Sequence, residues 1–376
     1  MNSLKVALVI DDNLDKFDGV QQYVLTMGGW LQSQGHEVQY IAGQTTRDIG
    51  APVHSLAPTV EARFNHNRMH IPLPASGKAI RELLQKETYD VIHVQLPCSP
   101  WFAGRVVQAA SPATAIVGTF HIAPYSPLVR IGSRLLAVYE HSLLAYFHEV
   151  ISVSPAAKAF ARSAFGVSSD ILPNAIDLSA YKRLPAPSSD IPTIVFLGRL
   201  VERKGCRYLL EAVWRLRQRA DCPPFRVVIA GRGPLEQSLR VYVEAHSLTD
   251  IVEFRGFIEE ADKAALLRSA TIAVFPSVGG ESFGIVLLEA MAATKGVVLA
   301  GDNPGYASVV RPQQLINPKD ADRFAAQLFG WLSDKRARQQ AYAWQKTAVQ
   351  RYDVSVVGPR LIGLYERALS SAREMR

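Results

Sequence analysis

At 376 residues, with 48% hydrophobic and 20% charged residues, the chain has the composition of a soluble globular protein and is too long for one ordinary core, so two domains are expected. No run reaches the ~20 apolar residues needed to span a bilayer, and KVALVI followed by Asp11 and Asp12 reads as a first strand, not as a secretion signal. The formal charge of +7 suits anionic partners (nucleotide phosphates, acidic lipid headgroups) as well as a merely soluble basic surface, and the absence of a zinc finger, an RNP-type aromatic motif or a long basic block argues against nucleic acid.

From that first strand the chain enters a helical pattern, GVQQYVLTMGGWLQSQG, then a strand, HEVQYIA. A second helix-like stretch, GKAIRELLQKE, leads to YDVIHVQL, ATAIVGTF, EVISVS and SDILPN, short Val- and Ile-rich runs that read as buried strands. LPAPSSDIP at 184–192 is dense in Pro and Ser and reads as a linker. A second alternating series follows: TIVFLGRL, a helix from about Gly205 to Ala220, FRVVIAG, a helix around 234–247, IVEFRGF, a short helix, TIAVFPS, a helix after Glu281, and GVVLAG. Strand–helix alternation on both sides of a linker predicts an α/β chain of two doubly wound parallel-sheet domains, 1–187 and 188–352, with a terminal helix at about 353–376 that packs back on the first. Ligands of such sheets bind at the carboxyl ends of the strands, so a cleft between the domains is the expected site. The three cysteines, Cys98, Cys206 and Cys222, are too few and too dispersed for a disulfide framework or a metal cluster, which fits a reducing cytoplasm.

Four groups of residues carry candidate chemistry. Gly19, at a strand-to-helix turn, is either a turn glycine or a place where backbone N–H groups approach a phosphate. There is no GxGxxG, which counts against a dinucleotide-binding enzyme. Arg199 and Lys204 in FLGRLVERKG form either a diphosphate clamp or, with Arg203 and Arg207 alongside, a solvated basic loop. In GGESFGIVLLEAMA, Glu281 stands just before a helix expected to begin at Ser282 and Phe283, with Glu289 two turns in. Eight helical residues span ~12 Å, too far for the ~5–9 Å acid/base couple of a glycosidase. Two such carboxylates suit the diols at the two ends of a nucleotide sugar, with the Ser282–Ile285 amides at the phosphates between. A glutamate on the otherwise apolar helix is costly unless paired. His121, at a strand end in GTFHIAP, is a candidate facing the cleft, and His93 within a strand reads as structural.

The set GRLVERKG, IAGRGP, VEFRGF, FPSVGGESFGIVLLEAMA and PNAID resembles the family 4 retaining glycosyltransferases of the GT-B fold, over nearly the whole chain. DGVQQYVL, SQGHEV, ATAIVGTFH and RYDVSVVGPRLIGLYE resemble, within it, the bacterial phosphatidyl-myo-inositol mannosyltransferases. The resemblance implies that Gly19, Arg199 and Lys204 contact the donor diphosphate, Glu281 the hydroxyls of the transferred sugar beside the Phe283 and Gly284 amides, and Glu289 the ribose. It implies His121 beside the sugar and the reacting phosphate, Arg232 near the donor, and Ile258, Glu260 and Lys263 in FIEEADK reading guanine. Catalysis would fall to Arg199, Lys204, His121 and Glu281, with GDP-mannose as donor and a lipid-linked acceptor such as phosphatidylinositol. No cofactor is required, and Mg2+ would at most assist without a structural site. The expected location is the cytoplasm, peripheral at the inner membrane face.

Three departures stand out. Asp18 precedes Gly19 where relatives carry a second glycine. Lys78, Arg81 and Lys86 on GKAIRELLQKE are offset by Glu82 and Glu87, so membrane attraction, about 1 kcal/mol per basic residue, is weak. Among the acceptor candidates Gln21, Cys98 and Ile122, the last two stand where polar residues would suit inositol. The alternatives are a UDP-sugar transferase with another lipid or glycan acceptor, a nucleotide-sugar epimerase, and an inactive glycan- or membrane-binding module.

Overall fold

The structure, a computed structural model, describes residues 3–15, 18–64, 67–96, 99–122, 141–182 and 191–374. The chain divides into two compact units, Met1–Ala175 with Val354–Arg376, and Ile176–Asp353.

Among the described residues the first unit holds a seven-stranded sheet, β3-β2-β1-β6-β7-β8-β9, every neighbouring pair parallel. Its strands are β1 (Lys5–Val9), β2 (Glu37–Gly43), β3 (Val53–Ala57), β6 (Val91–Leu96), β7 (Ala115–Phe120), β8 (Glu149–Ser152) and β9 (Asp170–Ile171). β6 and β7 are buried along their whole length, as expected where helices cover both faces of a parallel sheet. The covering helices are α1 (Gly19–Ser33), α2 (Gly77–Glu87), α3 (Ala103–Ala109) and α4 (Pro155–Phe165). Ser76 caps α2 and Ser154 caps α4, each accepting the backbone N–H three residues on. A separate antiparallel hairpin joins β4 (Thr59–Phe64) to β5 (Asn67–Pro72).

The unit is completed by the long helix α11 (Val354–Glu374), which packs on α1, β7 and β8. Tyr365 of α11 meets His93 of β6, its hydroxyl 2.8 Å from Nδ1, while His93 Nε2 lies 2.6 Å from the Thr119 hydroxyl of β7. Gly358 lies where an added Cβ would be 2.5 Å from the Trp30 ring of α1. Arg367 pairs with Glu149 at 2.9 Å and Asp170 at 3.2 Å at the sheet's edge.

The second unit, again among the described residues, holds a six-stranded parallel sheet, β12-β11-β10-β13-β14-β15. Its strands are β10 (Thr193–Leu197), β11 (Arg226–Ala230), β12 (Val252–Gly256), β13 (Ile272–Phe275), β14 (Val297–Gly301) and β15 (Leu315–Ile316). Between and after them run α5 (Cys206–Arg217), α6 (Glu236–Ala245), α7 (Glu260–Arg268), α8 (Ile285–Ala293), α9 (Ala321–Ser333) and α10 (Lys335–Ala348). Ile194, Phe196, Ile229, Val274 and Leu299 of the strands meet Leu209, Val213, Phe324 and Leu328 of the helices in one core.

Two expectations are corrected. The chain passes into the second unit at 175–176, before the Pro/Ser-rich 184–192. There the Ile176 N–H donates to the Tyr352 carbonyl at 3.0 Å and Ile176 bridges Asp353, so the entering and leaving segments lie side by side. Residues 183–190 of the expected linker lie outside the described residues. Second, the helix expected from Ser282 begins at Ile285: Gly284 precedes it at φ 101°, a left-handed turn that keeps residues 281–283 out of the helix.

Candidate active site

The second unit builds its site at the carboxyl ends of β10, β11 and β13. The loops after β10 and β11 are laced by backbone bonds, Gly198 N–H to the Ala230 carbonyl at 3.0 Å and Leu200 N–H to the Arg232 carbonyl at 2.9 Å. The loop after β10 closes at Gly205, φ 75°, where a Cβ would lie 1.9 Å from the Pro276 carbonyl oxygen; only glycine lets α5 start so close to β13.

That closure brings residues 203–204 against 277–281. Glu281 Oε1 lies 2.6 Å from Arg203, 2.9 Å from the Lys204 ammonium and 2.8 Å from the Ser277 hydroxyl. Ser277 has one proton to donate, and the Arg203 carbonyl at 2.9 Å and the Gly279 carbonyl at 3.3 Å also compete for it. The side chains are secluded, Arg203 14% and Glu281 11% exposed. Burial alone would raise the Glu281 carboxyl, but the Lys204 and Arg203 charges and the hydrogen bonds outweigh it and hold it down at about 2. Burial, aided by the charges of Arg203 and Arg199, lowers the Lys204 ammonium against the pull of Glu281. Arg199 is therefore close enough to be felt at Lys204. Lys204, Ser277, Val286 of α8 and Tyr306 line one cavity of about 10 Å³, scarcely room for a water.

One helical turn into α8, Glu289 is buried among Ile285, Leu288 and Met291. It is paired: Lys263 of α7 reaches it at 2.6 Å and also holds Glu260 at 2.8 Å. Burial opposes the Lys263 charge, yet the two carboxylates raise its pKa. Tyr181 lies in their field, its hydroxyl pushed up by burial and then by Glu289 and Glu260. Thus Glu281 and Glu289 belong to separate clusters, each with its own cation.

The other candidates fall as follows. Ser282 and Phe283 precede α8 instead of opening it; Phe283 is buried edge-on against Tyr352, ring centroids 5.6 Å apart. Arg232 is exposed, with its carbonyl tied to Leu200. Ile258 stands between β12 and α7, part-exposed. In the first unit, Gly19 is the first residue of α1, after Asp18 at the N-cap, whose side chain makes no capping bond. Gln21 is buried, its amide 3.4 Å from the Asn13 carbonyl. His121, just past the end of β7, has a buried ring: Nε2 lies 2.7 Å from Gln95 Oε1, and Tyr23 stands edge-on at 4.9 Å. Burial, then the neighbouring His93, lowers its pKa to about 3, so it is neutral. Ile122 beside it is exposed, and Cys98 lies outside the described residues.

Two participants were not singled out in the sequence. Arg203 entered the sequence reading only through the alternative of a solvated basic loop; its neighbours Arg207 and Glu202 gave no sign that it turns inward onto Glu281. Asp11, at the end of β1, accepts from Ser99 N–H and hydroxyl and from Ala103 N–H at 3.0 Å, fixing the start of α3. The Asp11–Asp12 doublet was the only available signal.

Comparison with known proteins fits these two units. The family model for glycosyl transferases group 1 matches residues 181–347, and that for glycosyltransferase family 4 matches residues 17–180. The phosphatidyl-myo-inositol mannosyltransferase of Mycolicibacterium smegmatis is 32% identical over 96% of this chain and 94% of its own. Among solved structures, a glycosyltransferase from Rickettsia africae superposes with a TM-score of 0.76 at 17% identity, covering 98% of this chain and 99% of its own. HepE of Anabaena, solved with UDP and glucose, gives 0.73 at 17% identity over 96% and 99%. Both share the two parallel-sheet domains of the GT-B fold. The chain belongs to the family 4 glycosyltransferases and is a hexosyltransferase.

Proposed function

We propose that the protein transfers mannose from GDP-mannose to a phosphatidylinositol-type lipid acceptor, with retention of anomeric configuration. The observation that carries the donor side is the pair of cation-held carboxylates flanking the start of α8, Glu281 with Arg203 and Lys204, and Glu289 with Lys263. In this reading Arg199 and Lys204 bind the diphosphate, the 282–285 amides lie beside it, and Arg232 lines the same donor site. Glu281 accepts from hydroxyls of the transferred sugar, Glu289 from the ribose, and Ile258, Glu260 and Lys263 meet the base.

The mechanism follows from charge. The C1–O bond to the diphosphate breaks with its electron pair on phosphate oxygen, and Arg199 and Lys204 stabilise that charge in a secluded site. The acceptor hydroxyl bonds C1 on the same face and gives its proton to the departing phosphate. No carboxylate nucleophile is needed, and no metal is required for these steps. The acceptor belongs to the first unit, where Gln21 and Ile122 stand near neutral His121.

Support for a lipid acceptor is the name of the Mycolicibacterium smegmatis relative and a surface feature. Leu73 and Trp101 are exposed, and the Ala75 N–H donates to the Trp101 carbonyl at 3.1 Å, just before basic α2. Lys78 spends part of its charge on Glu82 at 3.7 Å, consistent with weak peripheral attachment at the inner membrane face.

The test is transfer of label from GDP-mannose, UDP-glucose and UDP-GlcNAc into phosphatidylinositol vesicles. Mannolipid formed only from GDP-mannose is expected, with Lys204→Ala and Glu281→Gln each reducing turnover about a hundredfold or more. Transfer from a uridine donor alone would sink the mannose assignment.

A further inference from the structure

Arg203, Lys204 and Ser277 converge on Glu281 Oε1, and of the two cations Arg203 is given no donor contact. Lys204 is asked to serve a diphosphate, and the Ser277 proton is shared with two carbonyls. Arg203 lies 2.6 Å from Glu281, and its own carbonyl accepts the Val278 N–H at 2.9 Å. Its side chain and backbone thus both grip the 277–281 segment. Tyr306 also faces Glu281, its hydroxyl pushed well up by burial and then by the Glu281 charge, so it stays a neutral phenol and adds no negative charge beside the carboxylate. Among the described residues, the charged groups acting on this carboxylate are Arg203, Lys204 and, behind Lys204, Arg199.

When an anionic diphosphate draws Lys204 away, a secluded carboxylate would be left without an ammonium, which is strongly unfavourable. We propose that Arg203 is a positioning residue for sugar transfer: it holds Glu281 ionised and in place while Lys204 changes partner from Glu281 to the donor diphosphate. A guanidinium suits this task, since it keeps its charge under burial whereas the ammonium gives way. The inference rests on the donor reading above for the identity of the incoming anion. The Arg203–Glu281 link itself does not depend on it.

The test uses the full chain as wild type, Arg203→Met, Arg203→Lys, Glu281→Gln and the Arg203→Met/Glu281→Gln pair. GDP and UDP binding is measured by calorimetry. Arg203→Met is expected to weaken the diphosphate that wild type binds by about tenfold, the equivalent of one pKa unit of lost charge stabilisation. Arg203→Lys recovers only part of it, and in the Glu281→Gln background Arg203→Met has no further effect. Equal weakening in both backgrounds would mean that Arg203 touches phosphate directly, and overturns the proposal. If wild type binds neither diphosphate, the donor reading fails, and the same proteins still decide the Arg203 role through thermal unfolding between pH 7 and 4. Arg203→Met should then be most destabilised at pH 7, and its gap to wild type should narrow on acidification, as the easier protonation of Glu281 relieves its poorly paired buried charge; Glu281→Gln should remove that difference. Parallel pH profiles for Arg203→Met and wild type would refute it.

Discussion

The Lys263 ammonium sits 2.6 Å from Glu289 Oε1, and this contact joins the first turn of α7 to the middle of α8. Glu289 is 4% exposed at its side chain, so Lys263 decides whether a charge can be tolerated on that apolar helix. Lys263→Met should destabilise the second unit by about 3 kcal/mol, because removing one partner leaves the other charge buried. The pair Lys263→Met/Glu289→Leu should recover much of that loss. Thermal unfolding with hydrogen exchange in β13 and β14 as readout checks it; equal stability of wild type and Lys263→Met would refute it.

Acid should loosen the first unit before the second. His93 and His121 are held neutral by burial, with folded pKa values of about 3 against 6.5 ordinarily, and burial also lowers His36, His54 and His148. A histidine with a depressed folded pKa binds more protons unfolded, so its contribution is complete above pH 6.5 and falls away as pH drops toward the folded value. Asp11 opposes this with one group: burial raises it to about 6, favouring the folded state as pH falls from 6 toward 3.8. In the second unit, Glu281 loses its contribution only below about 4.5 as pH falls toward 2. From pH 7.5 to 5, amide protection factors, which correct for the slower intrinsic exchange in acid, should therefore fall in β6 and β7 and stay constant in β10 and β11. The reverse order would contradict the assignment of neutral histidines.

The docking of α11 is the third expectation. Gly358→Leu forces a side chain into the Trp30 ring and should cost about 1–3 kcal/mol by overpacking. Tyr365→Phe removes a partner from buried His93 and should cost a similar 1–3 kcal/mol. Both changes should speed exchange in α11 and β7 while leaving β11 unaffected. Faster exchange confined to the second unit would refute the packing described.

The strands of both sheets were legible because parallel strands covered on both faces must be continuous apolar runs, as in IVFL and VVIA. β3 was not, since VHSLA is a half-exposed edge strand without such a run. The carboxylate pair could be read from Glu289, a charge that an apolar helix does not carry unpaired. Its partner could not, because Lys263 lies 26 positions away and was assigned to a base-reading loop instead. Arg203 was hidden for a related reason. Within ERKG nothing distinguishes an inward guanidinium from a solvated one until Gly205 turns the chain under Pro276. The helix start was misjudged by three residues because Gly284 was read as part of the helix, and its left-handed φ is invisible without coordinates.

The position of α11 bears on the order in which the protein is made. The second unit is one continuous stretch, Ile176–Asp353, and all its strands are translated before α11. The first unit begins the chain, yet His93 and Trp30 wait for Tyr365 and Gly358. Domains usually mature from the amino end during synthesis. Here the earlier half is the one that must be held open: a chain ending before residue 354 would carry every strand and helix of the second unit and lack the helix that completes the first.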